Sequence, residues 1–128
     1  MAFQEDLYTR LSGFAGLTAL VGTRIYPNKF RQGTRQQSAI RYARIASERE
    51  STMSVDVGFV RETYQFDIVA ATYSAARAIE KQLLAAIQRW RDAGIGLQDT
   101  FIGSVNDDWD DETEQHRIRV DAEFIVNE

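Results

Sequence analysis

The sequence has no cysteine, and only one histidine and one proline among its 128 residues. The lack of cysteine rules out disulfides, thiolate nucleophiles and cysteine metal sites, and it favours a reducing compartment such as a bacterial or virus-infected cytoplasm. A single histidine cannot form a two-histidine zinc site. Apolar runs are short, and Gln4, Glu5 and Asp6 stand where a signal peptide carries positive charge, so neither a membrane span nor a signal peptide is predicted.

Length and apolar content predict one folded domain spanning residues 1–128. Apolar residues make up 44% of the chain and aromatic residues 11%, which is enough to offset the cost of ordering the backbone. A chain of this length is typical of one domain and leaves little room for a second. We therefore expect a single hydrophobic core.

Charge is unevenly distributed along the chain. The basic segment, residues 24–49, holds seven basic residues and one acidic residue, a net charge of +6, whereas the remainder carries eight basic and eighteen acidic residues, or −10. Such asymmetry is typical of nucleic-acid binding, and equally of a subunit whose basic segment meets the acidic surface of a neighbouring copy. We favour the second because the whole chain is acidic and an interface needs opposite charges.

Apolar spacing predicts helices at the N-terminus and in the middle of the chain. The first ends near Gly13 or Gly16 and carries the stripe Phe3, Leu7, Leu11 and Phe14; a short turn then closes at Gly22. The second is capped by Thr72 or Ser74 and ended by Gly94. Its buried stripe is Ala76, Ile79, Leu83, Ala86, Ile87 and Trp90.

Period-two alternation predicts four strands. They cover residues 40–46, 60–70, 100–105 and the end of the chain, where Ile118, Val120, Ala122, Phe124 and Val126 share one face. In the second strand Val60, Tyr64, Phe66, Ile68 and Ala70 lie on one face, and Arg61, Thr63, Gln65 and Asp67 on the other. The predicted order is α-β-β-α-β-β, an α+β class, with polar residues 47–54 between the first two strands.

The stretch from Asn28 to Ser38 is polar, basic and without period, and it follows Pro27, so a long loop or arm is predicted. Aromatic residues interleave with basic ones here, as in proteins that stack bases and track phosphates. No recognised nucleic-acid motif accompanies them, and the arm of a subunit has the same composition. We favour the subunit arm.

No catalytic constellation is visible. His116 is in phase with Ile118, and a half-buried strand histidine is favoured over a general base because a base needs a positioned partner. No serine has a Gly-x-Ser-x-Gly setting, and Gly94 and Gly96 follow a helix, whereas phosphate cradles precede one. We predict that the chain is not an enzyme and that it has no catalytic, cofactor-binding or metal-ligating residues.

Six acidic residues surround Trp109, and they are Asp107, Asp108, Asp110, Asp111, Glu112 and Glu114. A helix-loop-helix calcium site needs glycine at its sixth position and a carboxylate at its twelfth, but counting from Asn106 these are Asp111 and Arg117. A solvated acidic loop between the last two strands is the favoured interpretation. A docking surface anchored by Trp109 is the functional alternative.

Three runs resemble the tail completion, or tail terminator, proteins of long-tailed bacteriophages. The first is Leu20 to Pro27 after a helix, the second is Gln65 to Tyr73 leading into an alanine-rich helix, and the third is Arg119 to Phe124. They span nearly the whole chain in the right order. The sequence departs from the family at Ser38, Ala39 and Ile40, where a proline often precedes the strand.

The resemblance implies a four-stranded antiparallel sheet with two main helices on one face, and a structural virion protein. It also implies a ring, six copies in this family, that caps the tail tube, meets the head connector and lets DNA pass through. We expect two contact surfaces that face different partners, formed by Lys29, Phe30, Arg31, Arg35 and Arg49 in one case and by Asp108, Trp109 and Asp110 in the other. Another neck protein and a small nucleic-acid-binding module are the alternatives.

Overall fold

In the computed structural model, three helices and five strands follow one another along the described residues, which are 3–27, 38–51, 56–110 and 115–127; at 49–51, 56–58 and 110 the backbone alone is described. The helices are α1 (Phe3–Ser12), α2 (Ala15–Val21) and α3 (Tyr73–Ile87), and a 3₁₀ turn covers Ala93–Ile95. The strands are β1 (Ile25–Pro27), β2 (Ala39–Ser51), β3 (Asp56–Ala70), β4 (Leu97–Asp110) and β5 (Gln115–Asn127).

Buried apolar residues and capping residues account for the positions of the three helices. Phe3, Leu7 and Leu11 are the buried residues of α1, which confirms three of the four residues of the predicted stripe; the fourth, Phe14, lies beyond α1 and packs partly buried against the core. Gly22 ends α2 with a φ of 61°, a left-handed value that favours glycine. Of the two candidate caps for α3, Thr72 is the one that forms, because its side chain accepts a hydrogen bond from the Ala75 N–H.

The predicted end of α3 near Gly94 is wrong. The helix ends at Ile87, because Gln88 turns extended and Arg89 has a φ of 57°. This change of direction lets the chain hydrogen-bond to β4 before the 3₁₀ turn. Trp90 lies outside the helix but still packs against the core.

The sheet has five strands in the order β1-β2-β3-β5-β4, and it is mixed, because β1 runs parallel to β2 while all other neighbours are antiparallel. The predicted four-stranded antiparallel sheet is therefore corrected, and so is the α-β-β-α-β-β order. Three residues are too few to show alternation in the sequence, so β1 left no signal. Ile25 of β1 pairs with Ile40 of β2.

Strands β2, β3 and β4 are longer than predicted. β2 continues to Ser51 and β3 begins at Asp56, so residues 47–51 of the polar stretch predicted between the two strands belong to β2. β4 extends to Asp110, so Asp107, Asp108, Trp109 and Asp110 belong to a strand, and the expectation of a loop at these four positions is wrong. Polar residues on both faces hide these extensions, because alternation appears only where one face is buried.

The core lies between one face of the sheet and the three helices, whose buried residues form a single cluster with those of the strands. Phe124 is central: its ring is 4.9 Å from that of Phe3 and 5.7 Å, edge-on, from that of Tyr64. The opposite face, called the open face here, carries Arg41, Asp67 and Arg119.

Candidate subunit interfaces

The structure describes only part of the predicted contact residues. Four of them lie outside the described residues, and these are Lys29, Phe30, Arg31 and Arg35. Arg49 lies in β2 and Asp110 ends β4, each with backbone alone described. Asp108 and Trp109 are fully described and lie near the end of β4. Of the described members, Arg49 therefore lies in β2, towards one edge of the sheet, and Asp108 and Trp109 lie in β4, at the other edge.

At the edge of the sheet formed by β1 and β2, called the basic edge here, Arg24 connects the residues before the predicted arm to those after it. Its Nε donates a hydrogen bond of 2.7 Å to the carbonyl oxygen of Ser38, and its own carbonyl accepts one of 3.0 Å from the Ile40 N–H. Nearby, Arg44 of β2 reaches Glu62 at 3.6 Å and has a well-exposed side chain. The described part of this edge therefore presents positive charge on an ordered strand.

The open face holds a buried carboxylate that the sequence did not reveal. Asp67 is fully buried, although its strand alternation assigns it to the polar face. Arg41 and Arg119 are its direct neighbours on the flanking strands; Arg41 Nη2 pairs with Asp67 Oδ2, and Arg119 Nε lies 3.2 Å from Oδ1. Two guanidinium groups thus cover the carboxylate and join three strands.

The pKa of Arg41 is lowered, first by burial and then by the positive charges of Arg117 and Arg119. Several arginines therefore crowd around one carboxylate in the middle of the sheet. Removing one partner of a buried ion pair is costly because the other charge loses its compensation. We assign this arrangement to the stability of the sheet. The sequence signal for this arrangement was the pair of arginines at corresponding positions of β2 and β5. That signal can be recognised only when the strand pairing is known.

At the opposite edge, formed by β4 and called the acidic edge here, an aromatic cluster lies where β4 ends and where β5 and α3 begin. The ring of His116 lies 4.9 Å from that of Trp109 and 5.8 Å from that of Tyr73. Tyr73 donates a hydrogen bond of 2.8 Å from its hydroxyl to Asp107 Oδ2, and Arg77 donates one of 3.2 Å to the same hydroxyl. His116 is half-buried, as predicted.

Trp109 remains 47% exposed despite these contacts. An exposed tryptophan held by neighbouring rings, with carboxylates beside it, suits a protein contact, because aromatic anchors contribute much of the affinity at interfaces. Its role as an anchor stays a prediction. Asp108, on the other face of β4, pairs in register with Arg117 of β5.

An open groove of about 630 Å³ lies between α1 and the β1–β2 edge. Glu5, Tyr8 and Tyr42 are among its lining residues, and burial, followed by Tyr8, raises the pKa of Tyr42 to about 12. The Thr9 hydroxyl at this groove donates to the Glu5 carbonyl oxygen at 3.0 Å. Among the described lining residues no acid–base pair is assembled, so the shape of the groove alone does not indicate catalysis.

Within the described ranges, no group of three or more histidine, aspartate or glutamate residues is arranged to hold a metal ion. The helices described are too short, or not apolar enough, to cross a bilayer.

The described residues form an α+β domain in which charged and aromatic side chains are exposed along two edges of the sheet, an arrangement that suits contacts with other proteins. The family can also be stated. The chain matches the model of the family described as "Tail completion protein gp17" over residues 5–127, and it belongs to that family.

A solved structure has the same fold. A chain in the structure titled "Virion of native gene transfer agent (GTA) particle" superimposes with a TM-score of 0.79 at 17% sequence identity, covering 99% of this chain and 96% of that one. No curated protein sequence matches this chain. The resemblance recognised in the sequence is thus confirmed, and the protein is a structural component of a phage-type virion tail.

Proposed function

We propose that the chain closes the end of a phage-type tail tube as a ring of copies and joins the tube to the head connector. The observation that carries the proposal is the family match over residues 5–127. The ring has six copies, as the family resemblance implies, and DNA passes through it. The subunits assemble in the cytoplasm of the host bacterium and need neither catalysis nor a cofactor.

The opposite edges of the sheet support a ring. Head-to-tail contacts close into a ring when the rotation between copies fits, and each copy then shows a different surface to each of its two neighbours. Here the β1–β2 edge carries Arg24 and Arg44, and the β4 edge carries Asp107 and Asp108. Opposite charges on the two edges steer copies together in one orientation.

The residues singled out from the sequence complete these two surfaces. We assign Lys29, Phe30, Arg31, Arg35 and Arg49 to the surface that grips a neighbouring copy or neck protein on one side. Asp108, Trp109 and Asp110 belong to the surface on the other side. Rim ion pairs contribute only about 0.2–1 kcal/mol each, so they set the register while buried apolar contacts supply affinity.

The proposal is tested by measuring the mass of the protein in solution, alone and after mixing with purified tail tubes. We expect a ring-sized species that sediments with the tubes, even if the free chain is monomeric. A chain that never associates with tubes would contradict the proposal. The nucleic-acid alternative instead predicts DNA affinity that falls steeply with salt, with a log–log slope of about −0.9 per phosphate contact.

A further inference from the structure

We propose that copies of this chain join by strand pairing, with the uncovered edge of β4 in one copy pairing antiparallel to the uncovered edge of β2 in the next. Within the described residues, the edges without a strand partner, called the uncovered edges here, are Phe101–Asp110 of β4 and Ala43–Ser51 of β2. This inference rests on the proposed ring and specifies the interface that closes it.

Each edge is covered over part of its length only. On β4 the chain after α3 covers the first residues, since Asp92 and Leu97 exchange two hydrogen bonds and the Arg89 N–H reaches the Thr100 carbonyl at 3.3 Å. On β2, β1 pairs with residues 40–42. Beyond these points neither outer edge has a strand partner in the part of the chain that the structure describes.

Exposed apolar side chains are concentrated on these two edges. Seven large apolar side chains are exposed among the described residues, and four of them lie here: Ile45 (53%), Phe101 (43%), Val105 (40%) and Trp109 (47%). A long edge strand with exposed apolar residues is a template for pairing with another chain, and proteins that stay monomeric avoid it. These edges therefore suit association.

The direction and length of the strands fit a second copy. The three antiparallel pairings between β2 and β4 make these two strands run in opposite directions. Rotation about an axis keeps all copies in the same sense, so β4 of one copy meets β2 of the next antiparallel. The two uncovered edges hold nine and ten residues and are each about 30 Å long.

The pairing also sets a tilt. Within one copy Ala43, Gln65, Asp121 and Ser104 form a row across the sheet. The uncovered stretch of each strand is its C-terminal part, and since β2 and β4 run in opposite directions, the two stretches lie towards opposite ends of the sheet. If the two uncovered edges pair over their full length, each copy is displaced along the strand direction by about five residues, or about 17 Å, relative to its neighbour. One copy contributes four long strands, which together are about 19 Å wide. The strands then tilt by about 40° from the ring axis, within the range of closed barrels.

Charge selects the same pairing. Asp107 and Trp109 lie on the helix-bearing side of the sheet, since their β5 neighbours are Ile118 and His116 in the core-facing row. Arg44 lies on that side too, opposite the buried Tyr64. Edge pairing brings Arg44 of one copy close to the Asp107 carboxylate and the Trp109 ring of the next copy. Both groups attract a guanidinium group.

The test uses the absence of natural cysteine. Val105→Cys and Ser47→Cys are combined in one chain, and the protein is treated with a short bis-maleimide reagent while bound to purified tail tubes. Within one copy these positions are three strands and five residues apart, about 20 Å, so a short cross-link forms only between copies. We expect a ladder of covalent oligomers ending at the ring size.

Control chains make the result decisive. Each single variant should yield at most dimers, and a control pair of Ser47→Cys with Ala85→Cys, on the exposed side of α3, should give no ladder. If the first pair unfolds, judged by circular dichroism, Asn106→Cys with Glu48→Cys, which lie at nearly opposite positions in the proposed pairing, tests the same edges on the open face. A tube-bound ring without a ladder from a folded pair overturns edge pairing and leaves the proposed function standing. Failure of the unmodified chain to bind tubes overturns both.

Discussion

The central strands and the edge strands of this sheet are built differently. The β3–β5 pairing runs from Phe59↔Asn127 to Ala70↔His116 without a register shift, whereas the β2–β3 and β4–β5 pairings each contain two shifts. The central strands bury long apolar rows, Tyr64 to Ala70 on β3 and Ile118 to Val126 on β5, whereas the edge strands carry bulges, charges and exposed rings. The centre therefore supplies stability, while the edges are left available for contacts.

The sharpest way to test this contrast is to remove one phenylalanine from each region. Phe124 is fully buried and Phe101 is exposed on β4. We expect Phe124→Ala to lower the free energy of unfolding by about 3–5 kcal/mol, because it leaves a cavity in the core. Phe101→Ala should change it by less than about 0.5 kcal/mol. Urea denaturation followed by circular dichroism measures both, and equal losses would contradict the division.

The buried carboxylate gives the next largest effect. Asp67→Asn removes the charge that compensates Arg41 and Arg119, and we expect a loss of about 2–3 kcal/mol, below the usual range for buried pairs because both arginines are partly exposed. Glu123→Gln, which breaks the exposed 3.9 Å pair with Arg61, should cost less than about 1 kcal/mol. Equal unfolding free energies for the two variants would show that burial of Asp67 is unimportant.

A tryptophan pair separates stability from association. Trp109→Ala should lower the free energy of unfolding by less than about 1 kcal/mol, because the ring is half-exposed. It should weaken binding to copies or tubes by about 30-fold, as expected for an interface anchor. Trp90→Ala, which removes a ring 6.3 Å from Phe124, should destabilise the chain instead. Sedimentation with tail tubes measures binding, and thermal unfolding measures stability. Undiminished tube binding by Trp109→Ala would argue against the role of Trp109 as an anchor.

Charge reversal in the basic segment has the smallest expected effect on the fold. Arg31→Glu combined with Arg35→Glu should leave the free energy of unfolding within about 0.5 kcal/mol, and it should weaken association by up to about tenfold, since rim pairs are individually weak. The conservative pair Arg31→Lys and Arg35→Lys should retain association. Ring formation at wild-type concentration by the reversed variant would count against a role for these residues.

Sequence patterns predicted the regions where one face is buried and failed where both faces meet water. The stripe of Leu7 and Leu11 and the alternation of Tyr64, Phe66 and Ile68 were confirmed, because burial on one face enforces a period. β1 is too short for a period, and the acidic end of β4 has none to show. Asp67 was assigned to a polar face correctly, yet its burial depends on arginines from two other strands.

The amino-acid sequence by itself determined the class of fold, the two main helices, the central strands and membership of a tail completion family, because each depends on local spacing or short motifs. The tertiary structure alone decided which strands lie at the edges, where each edge is covered, and how Arg41, Asp67 and Arg119 meet. The physical reason is that strand order and register depend on contacts between residues far apart in the chain, and a local pattern does not specify those contacts.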